Sequence, residues 1–278
     1  MSLINENLVL IEKILQVSKD AGESILDIYN NADPKIELKE DKSPLTAADI
    51  SSHTIIVNRL RNITPKIPII SEEDCNIPLA VRSNWKEYWL IDPLDGTKEF
   101  INRNGEFTVN IALVRDNKPI LGIIHVPVKN ETYWGSKEFG SFHIKANQEK
   151  ESISVANKNN NTIRIAASRS HPSKRLNLLL KELNNYEILN IGSSLKFCLV
   201  ASGAADIYPR FGRTSEWDTA AGEAIVESAG GYVCALKGEL MTYNTKHNFL
   251  NPDFLVSSSK NLILELQKIL KKIPSNEK

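Results

Sequence analysis

Three acidic segments hold the residues whose types and spacing could do chemistry: Ser71-Glu72-Glu73-Asp74, Asp92-Pro93-Leu94-Asp95-Gly96-Thr97 and Trp217-Asp218-Thr219-Ala220-Ala221-Gly222. Taken singly, an acidic pair after a strand reads as a solvated loop or a helix cap. The middle segment asks for more. Its two carboxylates follow an apolar run and precede a small-residue turn that opens a helix. Pro93 fixes the backbone so that Asp92 and Asp95 can face one side, and Gly96 lets the backbone approach a ligand closely. The N–H groups of a helix start form an anion site. Carboxylates that take a hard divalent cation, set beside donors that take phosphate, are the parts of a Mg²⁺-dependent phosphoryl-transfer site.

The elements that would position these residues are legible from periodicity. Leu8, Ile11, Leu15, Ile25 and Ile28 share a helical face, predicting a long amphipathic helix over 8–29, and a second helix follows Pro44 over 46–60. Apolar runs at 67–70 and 88–91 end directly in acids and read as buried strands with carboxylates at their C-terminal ends. Residues 107–144 read as an antiparallel meander with turns at Asp116-Asn117 and Lys129-Asn130. The polar stretch 148–161 reads as a linker or exposed loop. Beyond it strands at 163–167, 186–189 and 205–208 alternate with helices at 174–183, 194–201, 219–228 and 262–271. The pattern predicts an α/β chain with an N-terminal lobe over 1–150, carrying the antiparallel sheet and the first acidic motifs, and a C-terminal lobe over 151–278.

Composition excludes several classes. Among 278 residues, 34 Lys and Arg balance 34 Asp and Glu, so no bulk charge recruits a nucleic-acid polymer or an anionic membrane. The three cysteines form no CxxC pair, which argues against a disulfide framework or a structural zinc site. No run of about 18 apolar residues predicts an integral membrane segment, and no basic region precedes the first short apolar run. A cytoplasmic protein is expected, as a monomer or homodimer, with peripheral membrane association left open. Cys75 reads as an inert thiol among acids, and the four tryptophans as core or lobe-interface residues.

The middle and last acidic motifs together resemble the signature pair of the inositol monophosphatase superfamily. Lys39, Asp41, Ser43-Pro44, Thr46 and Asp49 resemble its N-terminal motif, so the likeness spans nearly the whole chain. Ser168-Arg169-Ser170-His171, Gly192-Ser193-Ser194-Leu195-Lys196-Phe197 and Tyr208-Pro209-Arg210-Phe211 resemble the CysQ-type 3'(2'),5'-bisphosphate nucleotidase branch. The resemblance implies a sugar-phosphatase fold of alternating helix and sheet layers. It implies removal of the 3'-phosphate of adenosine 3',5'-bisphosphate, a by-product of sulfate-donor chemistry, and sensitivity to Li⁺. The alternatives are an inositol monophosphatase or sugar-phosphate phosphatase, and a non-catalytic metal- and nucleotide-binding regulator.

Residue by residue, the resemblance implies Glu72, Asp92, Asp95, Asp218 and the Leu94 carbonyl as Mg²⁺ ligands. Four converging acids repel one another unless divalent cations neutralise them, which agrees. Thr97 and Asp49 match the superfamily's water-activating pair; apart from the motif they read as a helix cap and an exposed helical acid. Leu94, Asp95, Gly96, Thr97 and Asp218 would also meet the phosphate. Ser168, His171, Ser193 and Lys196 are implied as contacts to the nucleoside half, although alone His171 and Lys196 read as surface residues. Arg169, Arg210 and Arg213 are all candidates for the second phosphate, since a guanidinium binds phosphate bidentately. Glu73, one position beyond Glu72, could support the metal shell, although neighbouring carboxylates on an extended strand point to opposite faces.

Overall fold

A computed structural model describes residues 3–31, 36–38, 44–157, 162–170 and 173–274. In chain order the first elements are α1 (Leu3–Asn31), β1 (Ile36–Leu38), β2 (Pro44–Thr46), α2 (Ala47–Ile63), β3 (Ile69–Ser71), α3 (Leu79–Arg82), β4 (Glu87–Asp95) and α4 (Thr97–Ile101). The meander follows as β5 (Thr108–Arg115), β6 (Lys118–Val126), β7 (Glu131–Ser136), β8 (Gly140–Ile144) and β9 (Lys150–Ile153). The second half holds β10 (Ile163–Ser168), α5 (Lys174–Lys181), β11 (Tyr186–Ile191), α6 (Leu195–Ala201), β12 (Ile207–Arg210) and α7 (Glu216–Ser228). It closes with β13 (Tyr232–Ala235), β14 (Phe254–Ser257) and α8 (Lys260–Leu270).

Two large sheets result. A seven-stranded sheet runs in the order β3-β4-β5-β6-β7-β8-β9, with β3 parallel to β4 and every later pair antiparallel. A five-stranded sheet runs β11-β10-β12-β14-β13, its first three strands parallel and the rest antiparallel. The hairpin joining β5 to β6 turns through Asp116 and Asn117, both at positive φ, as a tight hairpin requires.

Helices cover both faces of the first sheet, which explains why its strands read as continuous apolar runs rather than alternating ones. On β4, Trp89 and Ile91 pack under α1 and α2 with Ile14, Ile25, Ile56 and Leu60, whereas Tyr88 and Leu90 face α6 and α7 with Phe197, Ala220 and Ile225. That second cluster continues into Tyr208, Phe254 and Val256 of the five-stranded sheet. The far side of this sheet carries α5 and α8, where Ile165, Ile207 and Leu255 meet Leu179, Leu262 and Leu266. The layers are helix, sheet, helix, sheet, helix.

Helix α7 sits against the first sheet with almost no space between them. A Cβ on Gly122 of β6 would lie 2.1 Å from the Ala221 carbonyl oxygen, so only glycine admits this approach. At the other face, His125 of β6 lies 2% exposed under α1, and a Cβ on Gly22 would meet its ring at 2.6 Å.

The structure corrects part of the sequence reading. Residues 148–161 are not all loop, because Lys150–Ile153 adds β9 to the sheet edge, while Asn159, Asn160 and Asn161 lie outside the described residues. Strands β13 and β14 are additional to the predicted set. Helix α7 begins three residues earlier than the periodicity implies, which puts Asp218 in its first turn. Trp89 and Trp134 are core residues, and Trp85 and Trp217 pack half-buried against the central cluster.

Candidate active site

Asp92 and Asp95 are three residues apart on β4, an odd spacing that places side chains on opposite faces of a regular strand. The ladder to β5 shifts between them: Asp92 pairs with Asn110 and Asp95 with Thr108, so three steps on β4 match two on β5. The extra residue is a β-bulge, and it returns Asp95 to the side of Asp92. The Leu94 N–H donates to Asp92 Oδ1 at 3.1 Å and tightens the bulge. Gly96 then takes φ +92°, a left-handed conformation that reverses the chain into α4.

Glu72 enters from the turn after β3 and Asp218 from the first turn of α7. Glu72, Asp92 and Asp218 each offer one carboxylate oxygen, and these oxygens lie within 4.8 Å of one another. Asp218 is oriented by a capping box, in which its Oδ2 accepts the Ser215 N–H at 2.8 Å. Burial, with the negative charges of Asp95 and Glu72 added, pushes the Asp218 carboxyl up to about 8. Such a set is stable as carboxylates only with a positive charge among them. The donors are all hard oxygens, so the residues present fit Mg²⁺.

Asp49 opens α2, where its Oδ2 accepts the N–H of Thr46 at 2.8 Å and the Thr46 hydroxyl at 2.6 Å. Its Oδ1 accepts from Thr97 Oγ1 at 3.4 Å, across 48 positions of sequence. Asp49 is therefore not the exposed acid that its helix position alone suggests: it is 2% exposed. Nor is Thr97 the helix cap, since Gly96 holds that position. Lys39, Asp41 and Ser43 lie outside the described residues.

One cleft of about 240 Å³ is lined by Glu72, Asp92, Leu94, Asp95, Gly96, Thr97, Ser168, Ser193, Lys196 and Asp218, together with Tyr208, Arg210 and Arg213. Ser168 ends β10, and Ser193, at φ +53°, lies between β11 and α6. Lys196 is 5% exposed, and its ammonium donates to the carbonyls of Ser193 at 2.5 Å and Ile191 at 3.4 Å, above the Tyr208 ring. Burial lowers its pKa to about 8, against the opposing pull of Asp95. His171 falls outside the described residues.

Of the three arginines, Arg169 is paired with Glu106. Its guanidinium grips Glu106 with two hydrogen bonds of 2.8 Å and also donates to the Asn190 carbonyl, and Glu106 in turn accepts the Gly192 N–H at 2.7 Å. Arg210 and Arg213 line the cleft, and the buried Arg210 Nε has no hydrogen-bond partner among the described residues. Several framing residues escaped the sequence reading. Glu99, 4% exposed, accepts from Ser170 Oγ at 2.5 Å, and Thr108, Asn110 and Ser194 form a buried polar set behind Asp95. Their signal was two polar residues inside the apolar run FTVNIALV.

The layered sheets with an acid-lined cleft between them match a known family. The inositol monophosphatase family model covers residues 7–273, and the chain belongs to that family. Within it, the chain is 46% identical over 251 residues to the 3'(2'),5'-bisphosphate nucleotidase CysQ of Salmonella typhimurium, covering 89% of this chain and 99% of that one. The same-named protein of Escherichia coli K12 is 45% identical over 249 residues, with the same coverage of both chains. Among solved structures, CysQ from Bacteroides thetaiotaomicron superposes with a TM-score of 0.75 at 42% identity, covering 88% of this chain and 95% of that one. The suhB protein of Bartonella henselae superposes at 0.79 with 24% identity over 95% of this chain and 99% of its own, a likeness of fold. Among the described residues no helix is long and apolar enough to cross a membrane.

Proposed function

We propose that the chain is a Mg²⁺-dependent phosphatase that removes the 3'-phosphate of adenosine 3',5'-bisphosphate, giving AMP and phosphate. The observation that carries the reading is one cleft lined both by Glu72, Asp92 and Asp218, whose carboxylate oxygens lie within 4.8 Å of one another, and by Ser168, Ser193 and Lys196. The names of the most similar relatives support the substrate. In this reading Glu72, Asp92, Asp95, Asp218 and the Leu94 carbonyl hold the cations. Bound Mg²⁺ supplies positive charge to the phosphoryl oxygens and lowers the pKa of water.

The remaining work belongs to the chain's own side chains. Asp49, held by two donors from Thr46, accepts a hydrogen bond from the Thr97 hydroxyl, so the Thr97 oxygen presents its lone pairs to the cleft. That oxygen orients the attacking water by accepting one of its protons. Water attacks phosphorus, the bond from phosphorus to the ribose 3'-oxygen breaks, and that oxygen leaves as the 3'-hydroxyl by taking a proton from solvent in exchange for the one the attacking water gives up. Lys196 has three N–H donors and gives two to carbonyls, which leaves the third for the part of the nucleotide that is not cut. Arg210 and Arg213, rather than Arg169, stand where a second phosphate would enter. His171 belongs to the same proposal by resemblance. The proposal keeps the lobes 1–150 and 151–278, with Asp218 as the metal ligand that the second lobe contributes to the first.

Phosphate release from adenosine 3',5'-bisphosphate and from inositol 1-phosphate, each with Mg²⁺ and with chelator, tests the proposal. The nucleotide should be the better substrate, and chelator should abolish turnover. A higher kcat/KM on inositol 1-phosphate would make the chain an inositol monophosphatase, and no release from either would favour a regulator. A cytoplasmic location follows from the same reading.

A further inference from the structure

The buried stretch 108–114 of β5 is apolar except at Thr108 and Asn110, which are 0% and 1% exposed and pair with Asp95 and Asp92 across the ladder. A buried amide must find partners, and here they form an ordered chain. Thr108 Oγ1 donates to Asn110 Oδ1 at 2.9 Å, which turns Asn110 Nδ2 outward to donate to Ser194 Oγ at 2.7 Å. A hydroxyl has one proton. With one lone pair of Ser194 taken by Asn110, its proton goes to Asp95 Oδ2 at 2.6 Å rather than to the Asp218 carbonyl at 3.2 Å. Ser193 also reaches Asp95 Oδ2, at 2.7 Å, but its proton is shared with Thr108 Oγ1 at 2.6 Å. Ser194 is thus the firm donor, and Asn110 makes it so.

We propose that Asn110 is a positioning residue for the metal ligand Asp95, acting through Ser194. The two commit Asp95 Oδ2 to the protein and leave Oδ1 for the cation. The inference rests on the reading of Asp95 as a Mg²⁺ ligand and assigns no chemistry to Asn110 itself.

Mg²⁺ binding to the full chain, followed by calorimetry without substrate, tests it in the wild type, Asn110→Ala, Ser194→Ala and the double variant. Partners that orient a metal ligand contribute about 10- to 100-fold in metal affinity, and a loss of that size is expected in each single variant. The double variant should bind no more weakly than the weaker single, because the two side chains act in series. Ser194→Thr, which keeps the hydroxyl, should restore binding. Additive losses, or wild-type affinity in a folded Asn110→Ala protein, would overturn the proposal. If Asn110→Ala does not fold, Asn110→Thr takes its place, since a β-branched residue suits a strand and is too short to reach Ser194. If neither folds, wild-type affinity in Ser194→Ala is enough to overturn it. A wild-type chain that binds no Mg²⁺ would overturn the metal reading as well, whereas Mg²⁺ binding untouched by every variant overturns only the positioning role.

Discussion

Thr97 and Lys196 separate the two jobs of the cleft. In the proposed mechanism Thr97→Ala removes the oxygen that orients water and leaves every carboxylate in place, so kcat should fall by about 10²- to 10⁴-fold with little change in KM. Steady-state kinetics check this, and a defect confined to KM would make Thr97 a phosphate anchor instead. For Lys196 the sign follows from its pKa, which burial lowers to about 8. Below that value the ammonium is charged and attracts an anionic substrate; above it the charge is lost. The kcat/KM for the bisphosphate should therefore decline as pH rises through about 8, and Lys196→Ala should lack that limb. The pH profile of kcat/KM for both proteins decides it. Lys196 also shows what residue-by-residue reading of a sequence misses, because its neighbours in the chain give no sign that two carbonyls and an aromatic ring enclose it.

At the scale of elements, α1 is seated over a histidine that the fold keeps neutral. Burial, aided by the Lys19 charge, lowers the His125 pKa to about 4, and its ring hydrogen-bonds Thr132 Oγ1 at 2.8 Å. An unfolded chain takes up this proton near its ordinary value of about 6.5, so between about 6.5 and 4 the unfolded state binds more protons than the folded one. Stability should drop as pH falls through that window. Thermal unfolding of wild type and His125→Gln against pH measures it, and the acid limb should be shallower in the variant. The long helices and the meander were legible because α1 carries a continuous apolar face and because Asp116-Asn117 supplies a hairpin turn. Strand β14 was not. Its four residues are too few to show a period of their own, although Asn251-Pro252-Asp253 marks a turn before them, and its place between β12 and β13 exists only in the pairing. The bulge in β4 was half legible: Pro93 marked an irregular backbone, but the register shift that brings the two aspartates together exists only in the pairing with β5.

Over the whole molecule, the cleft is assembled from both sheets and from the helices between them. The acids of the site could be read from the chain because Asp92-Pro93-Leu94-Asp95-Gly96-Thr97 and Trp217-Asp218-Thr219-Ala220-Ala221-Gly222 occur together, whereas either alone would pass for a loop or a cap. Asn110 could not, since its meaning lies in a partner 84 positions away. The same scale gives a meaning to Gly122. Helix α7 rests on this residue backbone to backbone, and Asp218 stands one turn from the point of contact. The gap between Asp218 and the acids of β4 is therefore set by a hard stop rather than by compressible side chains. Gly122→Ala should lift the helix, with an overpacking penalty of about 1–3 kcal/mol in stability and a parallel loss of Mg²⁺ affinity. Thermal unfolding and Mg²⁺ titration of this variant should move together, and unaltered Mg²⁺ affinity in a destabilised protein would refute the link. The separation of Asp218 from the acids of β4 is then a dimension fixed by backbone contact. A descendant of this chain that came to prefer a larger cation would have to change its sheet at residue 122 before it changed any ligand.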